Sequence, residues 1–345
     1  MKSDQTSMIT RLILLWVLFV IMSFFLGYPT LNRYKPELTA ALPDTYHYVN
    51  LVKLGITDVI DSHWRYRVLI PYIARPIYFI AQGRVGSWDP AFFALLVTNS
   101  IFIASSAICL GIIFFKITKN WHFGIFGAFL FLLHFNVSNL YLSGLIDSGE
   151  LFFMIALILA LMDRRWWMLP FLGIFGSLAR ETFIPFSGAF AAGWYISQIR
   201  EDGIKVTPVL AIALMGVLGL IMFTTIRFLF DAETIFPWQF AKSISTIRPG
   251  IFSQLIEAFF NRGFAYGFIW LLPLGLLGIK EVPKNWLFAS LAATVLAITL
   301  TIIAGSGQNM DNINRPLFST IGPLLLFGST AFLWNLFELN QSDKK

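Results

Sequence analysis

The chain has 345 residues, of which 57% are hydrophobic and only 13% charged, with a formal net charge of +6 and a mean hydropathy of +0.71. A soluble domain carries about 25% charged residues, so this composition cannot give a compact chain a water-compatible surface; it excludes an ordinary soluble domain and calls for lipid as solvent. The single cysteine, Cys109, leaves no intrachain disulfide and no cysteine-based metal site, and the positive excess, spread over short loops, reads as a topology signal rather than a nucleic-acid footprint.

A hydrocarbon core about 30 Å thick needs roughly 20 apolar residues per helix. Lys2 and Arg11 precede the apolar run Leu12–Gly27, and Tyr28-Pro29-Thr30 follow with no small-x-small cleavage site, which predicts an uncleaved signal anchor. The segment 67–82 contains Arg67, Pro71, Arg75 and Pro76 and predicts an amphipathic helix in the outer interface. Apolar runs then follow at 91–115, 122–141 and 144–162. The stretch 166–199 is apolar but interrupted by Arg180 and Glu181, which predicts a short helical hairpin with Arg180-Glu181-Thr182 at its tip. Runs at 207–230, 263–279, 285–304 and 316–337 complete the series. The expected fold is all-α and integral to the membrane, with about ten transmembrane helices. It forms a single transmembrane domain over residues 1–345, with outer loops at 28–90, 231–262 and 305–315.

The paired cations Lys116/Lys119, Arg164/Arg165, Arg200/Lys205, Lys280/Lys284 and Lys344/Lys345 place their loops with the N-terminus on the cytoplasmic side. The segment 28–90 holds seven Lys/Arg of its own, but long translocated loops largely escape this rule. With that topology the unusual polar residues share the outer face. They are Asp44-Thr45-Tyr46-His47-Tyr48, His63-Trp64-Arg65-Tyr66-Arg67, Asp147 and Glu150, Arg180 and Glu181, Asp231, Glu233, Lys242 and Arg248, and Asp311 and Arg315. Ionisable groups near membrane depth cost roughly 2.5–3.5 kcal/mol each on insertion scales and mark function.

Asp44 with Tyr48, the segment Arg65-Tyr66-Arg67-Val68-Leu69-Ile70-Pro71, Arg180-Glu181-Thr182 and Asn314-Arg315-Pro316 together resemble the GT-C class of polytopic glycosyltransferases. Those proteins have a long first outer loop with an acidic residue near its start, an interfacial helix after it, short helices mid-chain and a late outer loop ending in Arg-Pro. Many members carry an acidic pair in the first loop. Here Asp44 stands beside Pro43 and Thr45, so a second carboxylate would come from Asp147, Glu150 or Glu181.

The resemblance implies sugar transfer from a polyprenyl-phosphate sugar to a glycan, lipid or protein acceptor at the outer face. Such chemistry needs a carboxylate to take the acceptor proton and cations for the departing phosphate. Asp44 is the candidate base. Arg67, Arg180 and Arg315 are candidates for the phosphate, because guanidinium forks match phosphate oxygens. A Mg or Mn ion held by Asp44 and Glu150 would share that role, with Asp147 and Glu181 as supporting carboxylates. His47 or His63 would replace Asp44 as base or hold a metal.

Plain structural readings stand beside these. Asp44 caps a helix; Arg180 and Glu181 form an ion pair at the tip; Glu150 caps its own helix; Arg65 and Arg67 anchor at lipid headgroups; Arg315 starts the last helix beside Pro316. The chain has no Walker loop, Rossmann fingerprint or nucleotide-sugar signature, which favours a lipid-linked donor. The short loops suggest a bacterial inner membrane with the site facing the periplasm. Two other classes remain open: a transporter or flippase of a lipid-linked or anionic substrate, and a glycan polymerase or ligase of the cell envelope. No partner reading involves nucleic acid.

Overall fold

The computed structural model describes residues 2–33, 43–57, 60, 62–231, 251–304 and 313–342. Among these residues every regular element is helical. Sixteen α-helices run α1 (Lys2–Arg33), α2 (Pro43–Leu54), α3 (Ser62–Arg65), α4 (Leu69–Ala81), α5 (Pro90–Thr118), α6 (Trp121–Leu132), α7 (Asp147–Met162), α8 (Leu169–Ala179), α9 (Phe183–Asp202), α10 (Val206–Asp231), α11 (Ile251–Phe260), α12 (Arg262–Phe268), α13 (Leu271–Leu277), α14 (Lys284–Ala304), α15 (Asn314–Thr320) and α16 (Gly322–Ser342).

Four of the described helices are long and apolar enough to cross a membrane: Ile9–Arg33, Pro90–Thr118, Val206–Phe230 and Lys284–Thr301. A fifth span results if α15 and α16, bent by 66° at their junction, count as one broken crossing. The chain is therefore a multi-pass membrane protein of four to five such spans. The apolar helices Leu69–Ala81, Trp121–Leu132, Trp166–Ala179 and Arg262–Leu277 are shorter.

Local sequence sets the ends of these helices. Asp89 accepts from the backbone N–H groups of Ala91 and Phe92, and Pro90 occupies the first helical position of α5, where its missing N–H costs nothing. Lys119 closes α5 in the left-handed conformation (φ 59°), and Asn120 caps α6 through His122 and Phe123. The interruption at 180–182 falls between α8 and α9, as the charged triplet Arg180-Glu181-Thr182 predicts.

The described residues divide into two compact units. The first comprises residues 1–155 and 178–180. In it α5 is the central helix, with α1, α4 and α6 packed on it. Trp16 Nε1 donates to Ser105 Oγ at 3.0 Å, tying α1 to α5. The buried hydroxyls of Thr98, Ser100 and Ser106 return to carbonyls four residues back, so no polar hydrogen of theirs faces lipid unsatisfied.

The second unit comprises residues 156–177 and 181–345. There α9 packs on α14 and α13 on α16, with Trp286 buried against Phe327 (ring centroids 5.8 Å). Small residues bring these helices close, the usual solution where lipid supplies no hydrophobic drive between helices. A Cβ on Gly328 would lie 2.4 Å from the carbonyl oxygen of Gly275, whereas one on Gly216 in α10 would meet nothing within 4 Å. We therefore predict that Gly328→Ala destabilises the detergent-solubilised protein by about 1–3 kcal/mol through overpacking, while Gly216→Ala is neutral or slightly stabilising. Thermal unfolding of the two variants beside the parent checks this pair.

Candidate functional site

The start of α7 carries buried polar side chains and meets others from α2 and α5, with the part-buried Arg180, just after α8, among them. The starting point is the helix terminus itself. Residues 144–151 are all buried, so the first turn of α7 has little water to satisfy it. Asn99, in the middle of α5, supplies the hold: its Nδ2 donates to the Leu145 carbonyl at 2.7 Å, and its Oδ1 accepts from Ser148 Oγ at 2.6 Å. Gly149 allows close approach here, since a Cβ would meet Ile70 Cδ1 at 3.0 Å and Ala179 Cβ at 3.1 Å. On the preceding loop, Thr45 Oγ1 donates to the Ser143 carbonyl at 3.1 Å and fixes α2 to the same region.

Asp147 and Glu150 stand three residues apart in the first turn of α7. That spacing puts both carboxylates on one face, at the helix end whose dipole favours negative charge. Both accept from Arg180 Nη1, Glu150 through Oε2 at 3.2 Å and Asp147 through Oδ1 in closer contact. The side chains of Asp147 and Glu150 are 4% and 1% exposed and that of Arg180 16%. Each ion thus sheds most of its water, and the group holds only because opposite charges and the helix terminus replace it.

Tyr48 lies fully buried in α2 and accepts from Arg67 Nη1 at 2.8 Å. Burial pushes its phenol up to about 12, against the opposing charge of Arg67; Asp147 pushes it further up and Arg180 lowers it. Thr45, three residues before Tyr48 on α2, ties that helix to the loop leading into α7. The phenol is neutral at physiological pH, so its oxygen accepts from Arg67 while its proton remains a donor. Asp44 is one turn before Tyr48 on α2 and shares its face; it sits in the first helical turn and is half-buried.

The remaining sequence-derived residues fall as follows. The His47 ring stacks on Trp64 (4.1 Å between centroids, 5° between planes) and meets Tyr46 edge-on. His63 is in α3, but its side chain is outside the described residues. Arg65 Nε donates to the Ile60 carbonyl at 2.9 Å. Glu181 and Arg315 belong to the second unit; Arg315 is buried at the start of α15, beside Asn314, whose Nδ2 donates to the Gly263 carbonyl at 3.2 Å. Glu233, Lys242, Arg248 and Asp311 are outside the described residues, as is the side chain of Asp231.

Sequence reasoning missed Asn99, Ser148 and Arg227. Asn99 and Ser148 had a signal, since a polar residue inside a predicted span needs a partner. Arg227 had a stronger one, a cation within the run 207–230; it is buried, with its guanidinium 4.4 Å over the Phe223 ring.

The carboxylates of Glu150 and Asp147 already hold a cation, the Arg180 guanidinium. Glu150, the expected partner of Asp44 for a Mg or Mn ion, thus has one carboxylate oxygen on Arg180.

Removing Arg180 would leave two buried carboxylates uncompensated. Arg180→Ala is expected to cost roughly 3–5 kcal/mol, whereas the triple change Arg180→Met, Asp147→Asn and Glu150→Gln recovers much of that loss. Unfolding curves of the purified protein in one detergent check the order of the three stabilities. Comparison with known protein families, curated proteins and solved structures finds no match for this chain.

Proposed function

We propose that the protein is a membrane glycosyltransferase that moves a sugar from a polyprenyl-phosphate donor to an acceptor hydroxyl, at the periplasmic face of a bacterial inner membrane. In this reading α6, α7, α8, α9 and the α12–α13 pair cross as well, which gives about ten crossings, and α4 stays in the interface. The observation that carries it is the buried Asp147–Arg180–Glu150 group with Tyr48–Arg67 beside it and the half-exposed Asp44 on the same helix face.

The roles divide by what each side chain already holds. Arg180 is bound by two carboxylates, so its charge is largely answered and its part is to hold the site together. Arg67, which donates to the Tyr48 phenol, meets the donor phosphate, which gains charge as the glycosidic bond breaks. Asp44 accepts the proton of the acceptor hydroxyl as that oxygen attacks the anomeric carbon. The carbon–oxygen bond to phosphate breaks with its electron pair, polyprenyl phosphate leaves, and the anomeric centre inverts. Asp147, Glu150, His47 and His63 then serve as supporting groups.

A transport reading has one observation of its own. Interrupted helices with buried polar residues at the break are how many transporters bind anionic substrates, and α15–α16 is bent by 66° with Ser319 and Thr320 buried at the junction.

One assay separates the two. Membranes containing the protein are supplied with labelled polyprenyl-phosphate sugars, and wild type is compared with Asp44→Asn and Arg67→Gln at equal expression. Loss of a general base lowers the rate about 10²–10⁴-fold, and the same order is expected for Asp44→Asn. Label transferred equally by wild type and Asp44→Asn removes Asp44 from the mechanism. Label that crosses the bilayer without transfer, in an Arg315-dependent way, moves the assignment to transport.

A further inference from the structure

The helix α4 has two unlike faces. Ile70, Pro71, Ala74 and Ala81 are buried. Tyr72, Ile73, Phe79 and Ile80 are 41%, 41%, 57% and 63% exposed. Their spacing of seven places them on one stripe along the helix. Exposed aromatic and aliphatic side chains of this size need a cover, and the neighbouring residues say which.

The level of α4 relative to the lipid can be read from its surroundings. The span of α1 ends at Arg33 and that of α5 begins at Pro90. Trp88 Nε1 donates to Asn32 Oδ1 at 3.0 Å, and the Trp88 ring packs against Tyr28 at 5.3 Å. The two span ends therefore lie side by side, marked by a Trp and a Tyr as at a headgroup boundary. The α4 helix ends at Ala81, a short exposed turn before Pro90, and packs on α5 and α2.

The charge at this level is basic. Arg75 is half-buried, its guanidinium 5.5 Å from the Tyr72 ring and 5.9 Å from the Phe79 ring. Among the described residues it makes no hydrogen bond or ion pair. Gly55, at φ +78°, leaves room for it: a Cβ there would meet Arg75 Nη1 at 2.5 Å. Arg84 is exposed and donates to the Ile80 carbonyl at 3.1 Å. Arg33 is exposed at the end of α1. Among the described residues at this level, the carboxylate of Asp89 is answered by Lys53 at 2.6 Å and caps α5.

We propose that this face is a binding surface for anionic bilayer phospholipid. Acyl chains cover the Tyr72–Ile73–Phe79–Ile80 stripe, and the headgroup phosphate is held by Arg75 and Arg84. Arg75 suits the task because two aromatic rings and the Gly55 backbone fix its fork before any lipid arrives, so little side-chain freedom is lost on binding.

The test uses the full-length protein in nanodiscs of zwitterionic phosphatidylcholine, with phosphatidylglycerol added in steps. Native mass spectrometry counts phosphatidylglycerol retained, and thermal unfolding reads the stabilisation it confers. Each arginine near a lipid surface contributes about five-fold in affinity, so the double variant Arg75→Gln/Arg84→Gln is expected to bind roughly thirty-fold more weakly. Arg75→Lys recovers part of that affinity, and wild-type binding weakens with salt. If Arg75→Gln unfolds in pure phosphatidylcholine, Arg84→Gln alone and the salt series decide. Equal retention by wild type and variant overturns the proposal. So does displacement of phosphatidylglycerol by a stoichiometric amount of polyprenyl phosphate, which would make the surface part of the donor site.

Discussion

Everything around the candidate site depends on keeping one guanidinium and two carboxylates buried together. Taking each ion out of water costs several kcal/mol even after relaxation, and Asp147, Glu150 and Arg180 form contacts across thirty or more residues of chain. The charges must therefore be delivered to one place by a frame that cannot drift. Asn99 and Ser148 clamp the first turn of α7 from α5, Thr45 clamps α2 to the loop before it, and Gly149 admits Ile70 and Ala179. Each of these is small or short, and each acts on backbone geometry rather than on charge.

The same arrangement decides how chemistry would be shared out. A cation held between two carboxylates has little field left for an incoming anion, and Arg180 is so held. Asp44 faces the same way as Tyr48 from a half-buried first turn of α2. Under the glycosyltransferase proposal the buried ions are a fixed field, and Asp44 and Arg67 meet the substrate. Preorganised charge of this kind costs no reorganisation during reaction.

How much of this could be read from sequence follows from what each pattern encodes. Hydropathy located the long helices but not α2, α3 or α11, and the charged triplet 180–182 located the break between α8 and α9. It said less about length. The run 122–141 is α6 followed by a π turn at Val137–Tyr141, and the run 263–279 is two helices of seven residues each. Buried His134 and Asn136, where α6 stops, and the run's glycines are invisible to an average. Pairing was harder still. A sequence reading joins Arg180 to its neighbour Glu181, and the carboxylates observed on Arg180 lie a whole helix earlier. Only residue periodicity could have found the i, i+3 pair of Asp147 and Glu150, and nothing local names their cation.

The two faces of α4 connect the site to the lipid. Arg67 stands two residues before the helix begins, and Ile70 in its first turn presses on Gly149 beneath the carboxylates. On the opposite side the same thirteen residues expose the stripe that the lipid proposal covers. A helix this short moves as one piece, because its own hydrogen bonds join both faces within three turns. Whatever settles the outer face therefore also settles where Arg67 and Ile70 sit. A bound phospholipid would not need to touch the site to influence it: it would only have to bind one setting of α4 more tightly than another, and the shift could be no larger than that difference in affinity.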